Sequence, residues 1–159
     1  MAKHARVADS PGKRIGPVLV PLDGWKLAEA ALGAAERVSG RAASEMLLLS
    51  VVAPVNPAPL LRDDAVPRRT LETRYSKARR YLEGVRRRLE RRGIRARMLV
   101  RSGGPAEEIL TCAKAERAGL IALSTHGRSG LRRALFGSVA EAVVRRAPLP
   151  ILLVRATRA

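Results

Sequence analysis

Five short apolar runs recur along this chain, each closed off by turn-forming residues and separated from the next by a longer stretch of helical periodicity. They occupy residues 17–22, 46–52, 96–100, 120–123 and 150–155. The second run, Met46-Leu47-Leu48-Leu49-Ser50-Val51-Val52, is apolar at nearly every position instead of alternating, the pattern of a strand buried on both faces. Such strands must be covered by helices on either side. The alternation therefore predicts an α/β fold: one doubly wound domain, a five-stranded parallel sheet with helices on both faces. A chain of 159 residues supplies one such domain with a substantial core and falls short of two.

The intervening segments fit. Leu27, Ala28, Ala31, Leu32, Ala35 and Val38 fall near the i, i+3, i+4, i+7 spacing of an amphipathic helix over residues 25–39, which Gly40 is placed to stop. Over residues 70–92, Leu71, Tyr75, Ala78, Leu82, Val85 and Leu89 alternate steps of four and three, and arginines flank or oppose the stripe. Pro105 suits the first position of a third helix, with Glu107 and Glu108 at its positive end and Ala106, Ile109, Leu110 and Ala113 facing inward. A fourth helix is predicted to bury Val139, Ala140, Val143, Val144 and Ala147 and to end at Pro148. Residues 1–14 show no periodicity and are expected to form a disordered basic tail, leaving 15–159 as the folded domain.

Several function classes drop out. No run reaches the length of a membrane span, and the first residues lack the apolar core of a secretory signal. Cys112 is the lone cysteine and is expected to be a small buried thiol, so a soluble cytoplasmic protein is predicted. The net charge of +17 comes almost wholly from arginine and is densest between Arg68 and Arg92. With 3% aromatic residues there are few platforms for stacked bases, and no zinc-finger, helix-turn-helix or RRM signature is present. The charge predicts a weak, salt-sensitive, nonspecific attraction to polyanions. Asp63 and Asp64 read as a solvated pair on a proline-flanked loop, and no metal site is expected.

Residues 120–138, LIALSTHGRSGLRRALFGS, hold the densest signal. A buried strand ends at Leu123, a loop bearing Gly127 and Gly130 follows, and Gly137-Ser138 opens the last helix. Ser138 with Glu141 fits S-x-x-E, a capping box. Strand, glycine-bearing loop and helix N-terminus together make an anion site. Glycines let the backbone approach a phosphate, and the helix end offers unpaired N–H groups and a positive dipole. The spacing matches neither a Walker loop nor G-x-G-x-x-G. Ser102-Gly103-Gly104-Pro105 fails as a pyrophosphatase-type ATP loop, because it follows the third strand and continues into Ala106-Glu107-Glu108.

The longer segment HGRSGLRRALFGSVAEAVVRRAPLPILLVR resembles the universal stress protein family, whose ATP-binding members carry G-x-x-G, nine residues, then G-[ST]. Gly127, the nine residues from Arg128 to Phe136, and Gly137-Ser138 match, while Ser124 replaces the first glycine. Pro21-Leu22-Asp23 matches the family's V-P-L-D first strand, with Trp25 standing where D-G-S is frequent. The resemblance covers residues 17–155 and implies the sheet order 3-2-1-4-5, with a ligand crevice where the winding reverses between the first and fourth strands. It implies an adenine nucleotide as ligand: ATP, alone or with magnesium, or ADP or AMP. Asp23 would hold the ribose or base with Pro21 and Leu22 beside it, and Val51 and Leu123 would touch the base. Gly127, Arg128 and Gly130 would form the phosphate loop, to which His126 adds its backbone and an imidazole donor. Gly137, Ser138, Val139 and Ala140 would present the helix N-terminus to phosphate. Ser124 would stand in the loop's first glycine position; if that position needs a positive φ, a serine there is strained or moves the loop.

Catalysis needs a general base, an activated nucleophile or a metal-ligand set. The crevice offers only Asp23 and His126, so no catalytic residue is assigned, and any hydrolysis is expected to be slow and incidental. The expected function is a nucleotide-binding regulatory or stress-response module that works through conformation and dimer contacts. The alternatives are a family member without ATP binding that acts as an interaction protein, and a nonspecific polyanion binder. The fifth strand, Ile151 to Val154, lies at a sheet edge with no charge to repel a copy of itself, which predicts a homodimer paired along that edge.

Overall fold

The computed structural model describes residues 15–42, 45–54, 68–126 and 137–156. Strands and helices alternate along them: β1 (Val18–Pro21), α1 (Ala30–Ala42), β2 (Met46–Val52), α2 (Arg68–Glu90), β3 (Ala96–Ser102), α3 (Pro105–Ala115), β4 (Leu120–His126), α4 (Ser138–Arg146) and β5 (Ile151–Ala156). The five strands form one parallel sheet in the order β3-β2-β1-β4-β5. This is the α/β architecture that the alternating pattern predicts. Among the described residues no helix is long and apolar enough to cross a membrane.

The core follows from strand geometry. Successive side chains point to opposite faces, so Val18, Val20, Met46 and Leu48 go one way and Leu19, Leu47 and Leu49 the other. The first set packs beneath α1 and α2 against Ala31, Ala35, Leu82, Val85 and Leu89. The second packs beneath α3 and α4 against Ile109, Cys112, Ala113 and Val143. Every one of these strand residues is wholly buried, which is why the runs read as unbroken apolar sequence.

Several element boundaries depart from the periodicity. α1 starts at Ala30, not at Trp25; residues 25–29 form turns closed by bonds from the Ala28 N–H to the Trp25 carbonyl (3.0 Å) and from the Glu29 N–H to the Lys26 carbonyl (3.1 Å). Asp23 accepts the Trp25 N–H (3.0 Å) and so acts upstream of the helix, whose first donors are satisfied by this tighter winding. Gly40 lies inside α1 and does not stop it. A glycine ends a helix where the chain turns through the left-handed region, as Gly93 does after α2 with φ 77. In α2, Leu82, Val85 and Leu89 are buried but Leu71 is 37% exposed. The 23-residue helix is about 35 Å long, whereas the seven-residue strands beneath it span about 23 Å, so its first turns overrun the sheet. Val144, predicted to face inward, is exposed, because Ala140 and Val143 take the buried side of the short α4.

β4 continues through Ser124 and Thr125 to His126 instead of ending at Leu123, since β5 offers Val154, Arg155 and Ala156 as ladder partners. Its other neighbour is joined far more briefly. β1 pairs with β2 at four positions but with β4 at only two, Val18 with Leu120 and Leu19 with Ile121. At the start of this seam the Gly119 N–H donates to the Pro17 carbonyl (2.9 Å), and a Cβ on Gly119 would stand 2.5 Å from the Gly16 nitrogen. Only glycine allows so close an approach.

Candidate functional site

Where the β1–β4 ladder ends, a cleft of about 280 Å³ opens at the carboxyl ends of the strands. This is the place at which a doubly wound sheet accepts ligands. Pro21, Leu22 and Asp23 reach it from the end of β1, Val51 from β2, Leu123 and Ser124 from β4, and Gly137, Ser138, Val139 and Ala140 from the start of α4. His126 is the last residue of β4, and Gly127, Arg128 and Gly130 lie outside the described residues. The tail 1–14 and the pair Asp63-Asp64 lie outside them too.

Four further lining residues are not among those read from the sequence: Ala28, Leu49, Pro105 and Ile109. Pro105 carried a usable signal, because a helix that starts directly after a parallel strand has its N-terminus at the same sheet edge as the crevice. Ala28, Leu49 and Ile109 read as core and nothing more.

The N-terminus of α4 differs from the predicted capping box. Its N-cap is Gly137 (φ −62, ψ 155), with no side-chain cap bond, and Ser138 is the first helical residue. The Glu141 N–H donates to the Gly137 carbonyl (2.9 Å), so Glu141 lies one position too far along to reach back. The N–H groups of Ser138, Val139 and Ala140 precede the first intrahelical bond and carry no side-chain cap. They lie at the wall of the cleft, on the positive end of the helix dipole. α3 opens on the same cleft in the same state, with Gly104 as its N-cap, no side-chain cap bond and Pro105 at its first turn.

Asp23 faces these helix ends as the one acid among the described lining residues. Its carboxylate is exposed; Oδ1 holds the Trp25 N–H, Gly24 turns the chain at φ 90, and no described residue is a hydrogen-bond partner of Oδ2. Trp25 is 72% exposed. Ser124 sits within β4 opposite Val154, and the one non-glycine residue with positive φ among those described is Arg117 (φ 51). The strain anticipated at Ser124 is therefore absent, because strand backbone accepts any residue there. Leu22, Leu49, Ile109 and Leu123 give the cleft buried apolar walls. Such a cleft can hold a flat apolar group, a hydroxyl or amino donor at Asp23, and an anion at α4. The described lining pairs no base with a nucleophile.

A larger groove, about 470 Å³, lies between α1 and α2. Two of its arginines are already held, Arg88 by Glu29 (2.6 Å) and Arg92 by Glu36 (2.7 Å). Arg91 also lines this groove, at its outer margin beyond the end of α2.

The model of the universal stress protein family matches residues 14–155. The chain belongs to the universal stress protein family. Universal stress protein YxiE of Bacillus subtilis is 29% identical over 144 residues, covering 87% of this chain and 97% of that protein. Universal stress protein MJ0531 of Methanocaldococcus jannaschii is 39% identical over 74 residues; this match takes in 46% of this chain and spans 44% of that relative's length. The solved structure of MJ0577, a hypothetical protein of the same archaeon assigned a biochemical function from its structure, superposes with TM-score 0.75 at 26% identity over 92% of this chain and 100% of that one. A universal stress protein solved in complex with cAMP shares the fold with TM-score 0.65 at 19% identity, covering 91% of this chain and 100% of that chain.

Proposed function

We propose that the cleft binds an adenine nucleotide, ATP or ADP, and that this universal stress protein domain is a regulatory module whose output is carried by conformation and by a homodimer built through β5. The observation that carries the reading is the uncapped N-terminus of α4 opening on the same cleft as Asp23. Free N–H groups and a helix dipole favour phosphate, and a carboxylate oxygen opposite them favours a ribose hydroxyl or the adenine amino group. Leu22, Val51, Leu123 and Ile109 then flank the base. By the family resemblance Gly127, Arg128 and Gly130 would complete the phosphate loop, and the Ser138 hydroxyl would be available to a magnesium ion carried by the phosphates. In this reading binding is the function and any hydrolysis is incidental. A universal stress protein of the same fold that holds cAMP supports a nucleotide as the ligand class.

Calorimetry with Mg-ATP up to millimolar concentration, on protein freed of carried-over nucleotide, should give a saturable heat. Gly137→Val is the informative variant. A Cβ at Gly137 meets no described atom within 4 Å and its φ of −62 suits any residue, so the fold should survive. The added branches obstruct the phosphate approach, and affinity should fall about tenfold or more, the equivalent of one or more charge-assisted hydrogen bonds. A flat titration of folded parent protein would retire the nucleotide reading. Equal affinity in the variant would move the phosphate away from α4.

A further inference from the structure

The outward face of α2 carries a straight row of cations. Leu82, Val85 and Leu89 face the sheet, half-buried Tyr75 and Ala78 continue their stripe, and two residues further on the same steps give Lys77, Arg80, Gly84, Arg87 and Arg91, all exposed, on the opposite side. The Arg91 N–H still donates to the Arg87 carbonyl (3.2 Å), which carries the spiral one residue past Glu90. At 1.5 Å per residue the row is about 21 Å long.

Acids neutralise it only in part, at Arg87. α2 holds eight arginines and a lysine against three glutamates. Glu83, beside the row, is taken by Arg86 (2.8 Å) and Arg87 (2.8 Å), and hydrogen bonds from those two guanidinium groups push its carboxyl down to about 2. Glu90 pairs with Arg86, while Glu29 and Glu36 hold Arg88 and Arg92 at the flank. Lys77, Arg80 and Arg91 have no acid partner among the described residues. Gly84 sits mid-row, where a Cβ would meet nothing within 4 Å. Packing gives no reason for a glycine inside this helix, where it is unfavourable. It does leave the backbone bare between Arg80 and Arg87.

We propose that this row is a docking face for the phosphate backbone of double-stranded nucleic acid, bound without regard to sequence. Arginine presents paired N–H donors to phosphate, and backbone contacts of this kind position a duplex without reading it. Other polyanionic partners fit the face less well. A helix lying on a membrane inserts its apolar side, and that of α2 is turned into the core through Leu82, Val85 and Leu89. A protein interface is centred on apolar or aromatic residues, and none of the exposed large hydrophobics, Ile15, Trp25, Leu71 and Val144, lies on the row. No residue of the row lines the nucleotide cleft, so the two proposals stand separately.

Fluorescence anisotropy of a labelled mixed-sequence DNA duplex with the full chain tests this. Phosphate contacts from Lys77, Arg80 and Arg91 predict a slope of about −2.7 in log affinity against log salt, roughly a fortyfold loss between 50 and 200 mM. Arg80→Glu with Arg91→Glu should weaken binding at least about tenfold and flatten the slope by about two. Lys114→Glu with Arg145→Glu makes the same change of net charge on the other face of the sheet and should leave the slope intact. If the first pair proves unfolded by circular dichroism, Arg80→Gln with Arg91→Gln removes the same two contacts and should flatten the slope equally. The proposal is overturned if both pairs of variants lose affinity and slope alike, or if the duplex does not bind at 50 mM salt. It is overturned as well if phosphatidylserine vesicles bind more tightly than the duplex and through the same two arginines.

Discussion

Tyr81 donates its hydroxyl to Glu29 Oε1 (3.1 Å), while Arg88 reaches the other oxygen of the same carboxylate (2.6 Å). Burial first, then the Glu29 charge and its hydrogen bond, raise the phenol above its ordinary value near 10. The proton is thus held more tightly in the folded chain than in the unfolded one. Stability from this group is complete below about pH 10 and is lost as pH rises from there towards the folded value, because the unfolded chain sheds the proton first. Tyr81→Phe should cost about 1 kcal/mol at neutral pH by breaking the bond, and its stability should fall less steeply above about pH 10. Denaturant titrations of the two proteins at neutral and alkaline pH check both expectations; an unchanged alkaline limb would mean that other groups control it. Cys112, its thiol pushed up mainly by burial, remains inert at neutral pH.

Gly84 is the weak point of α2. It is exposed, and the space around its missing Cβ is empty, so Gly84→Ala should stabilise the protein by about 0.5–1 kcal/mol, measured as a higher denaturant midpoint with an unchanged slope. How far each element could be read in advance depended on what decides it. β2 spans the residues its apolar run marks out, because burial on both faces leaves an unbroken signature. Helix ends are decided by one or two backbone angles and one hydrogen bond. The start of α1 and the cap of α4 accordingly differ from what Asp23, Ser138 and Glu141 suggest by residue type alone. Leu71 shows a third case: its place in the stripe is correct, but no local pattern states how far the sheet beneath extends. The cleft was legible at Asp23 and at residues 137–140, where turn and helix chemistry is written in residue type. Leu49 and Ile109 were not, since a wall of a cleft and a wall of a core are built from the same side chains.

For the whole molecule, the row order leaves β5 with β4 as its one described neighbour. The Ile121 N–H donates to the Pro150 carbonyl, so the polar groups of residues 150, 152 and 154 face β4 and those of Ile151 and Leu153 face outward. Leu153→Pro therefore removes an outward donor while sparing the ladder, whereas Leu152→Pro would cut into it. If the homodimer pairs along this edge, light scattering should move from dimer towards monomer mass in Leu153→Pro with the fold retained; a parent already monomeric at tens of micromolar would end the idea. α2 packs at the opposite end of the sheet, on β2 and β3, so such a dimer would carry its two cationic rows far from the shared edge. The two-rung seam between β1 and β4 has a consequence in time. It joins Val18 to Leu120 and Leu19 to Ile121, closing a loop of about a hundred residues, whereas every other strand pair is closer along the chain, so chain entropy places it late in folding. A growing polypeptide has no cleft until that seam shuts, and a nucleotide taken up there would select finished molecules from those still being made.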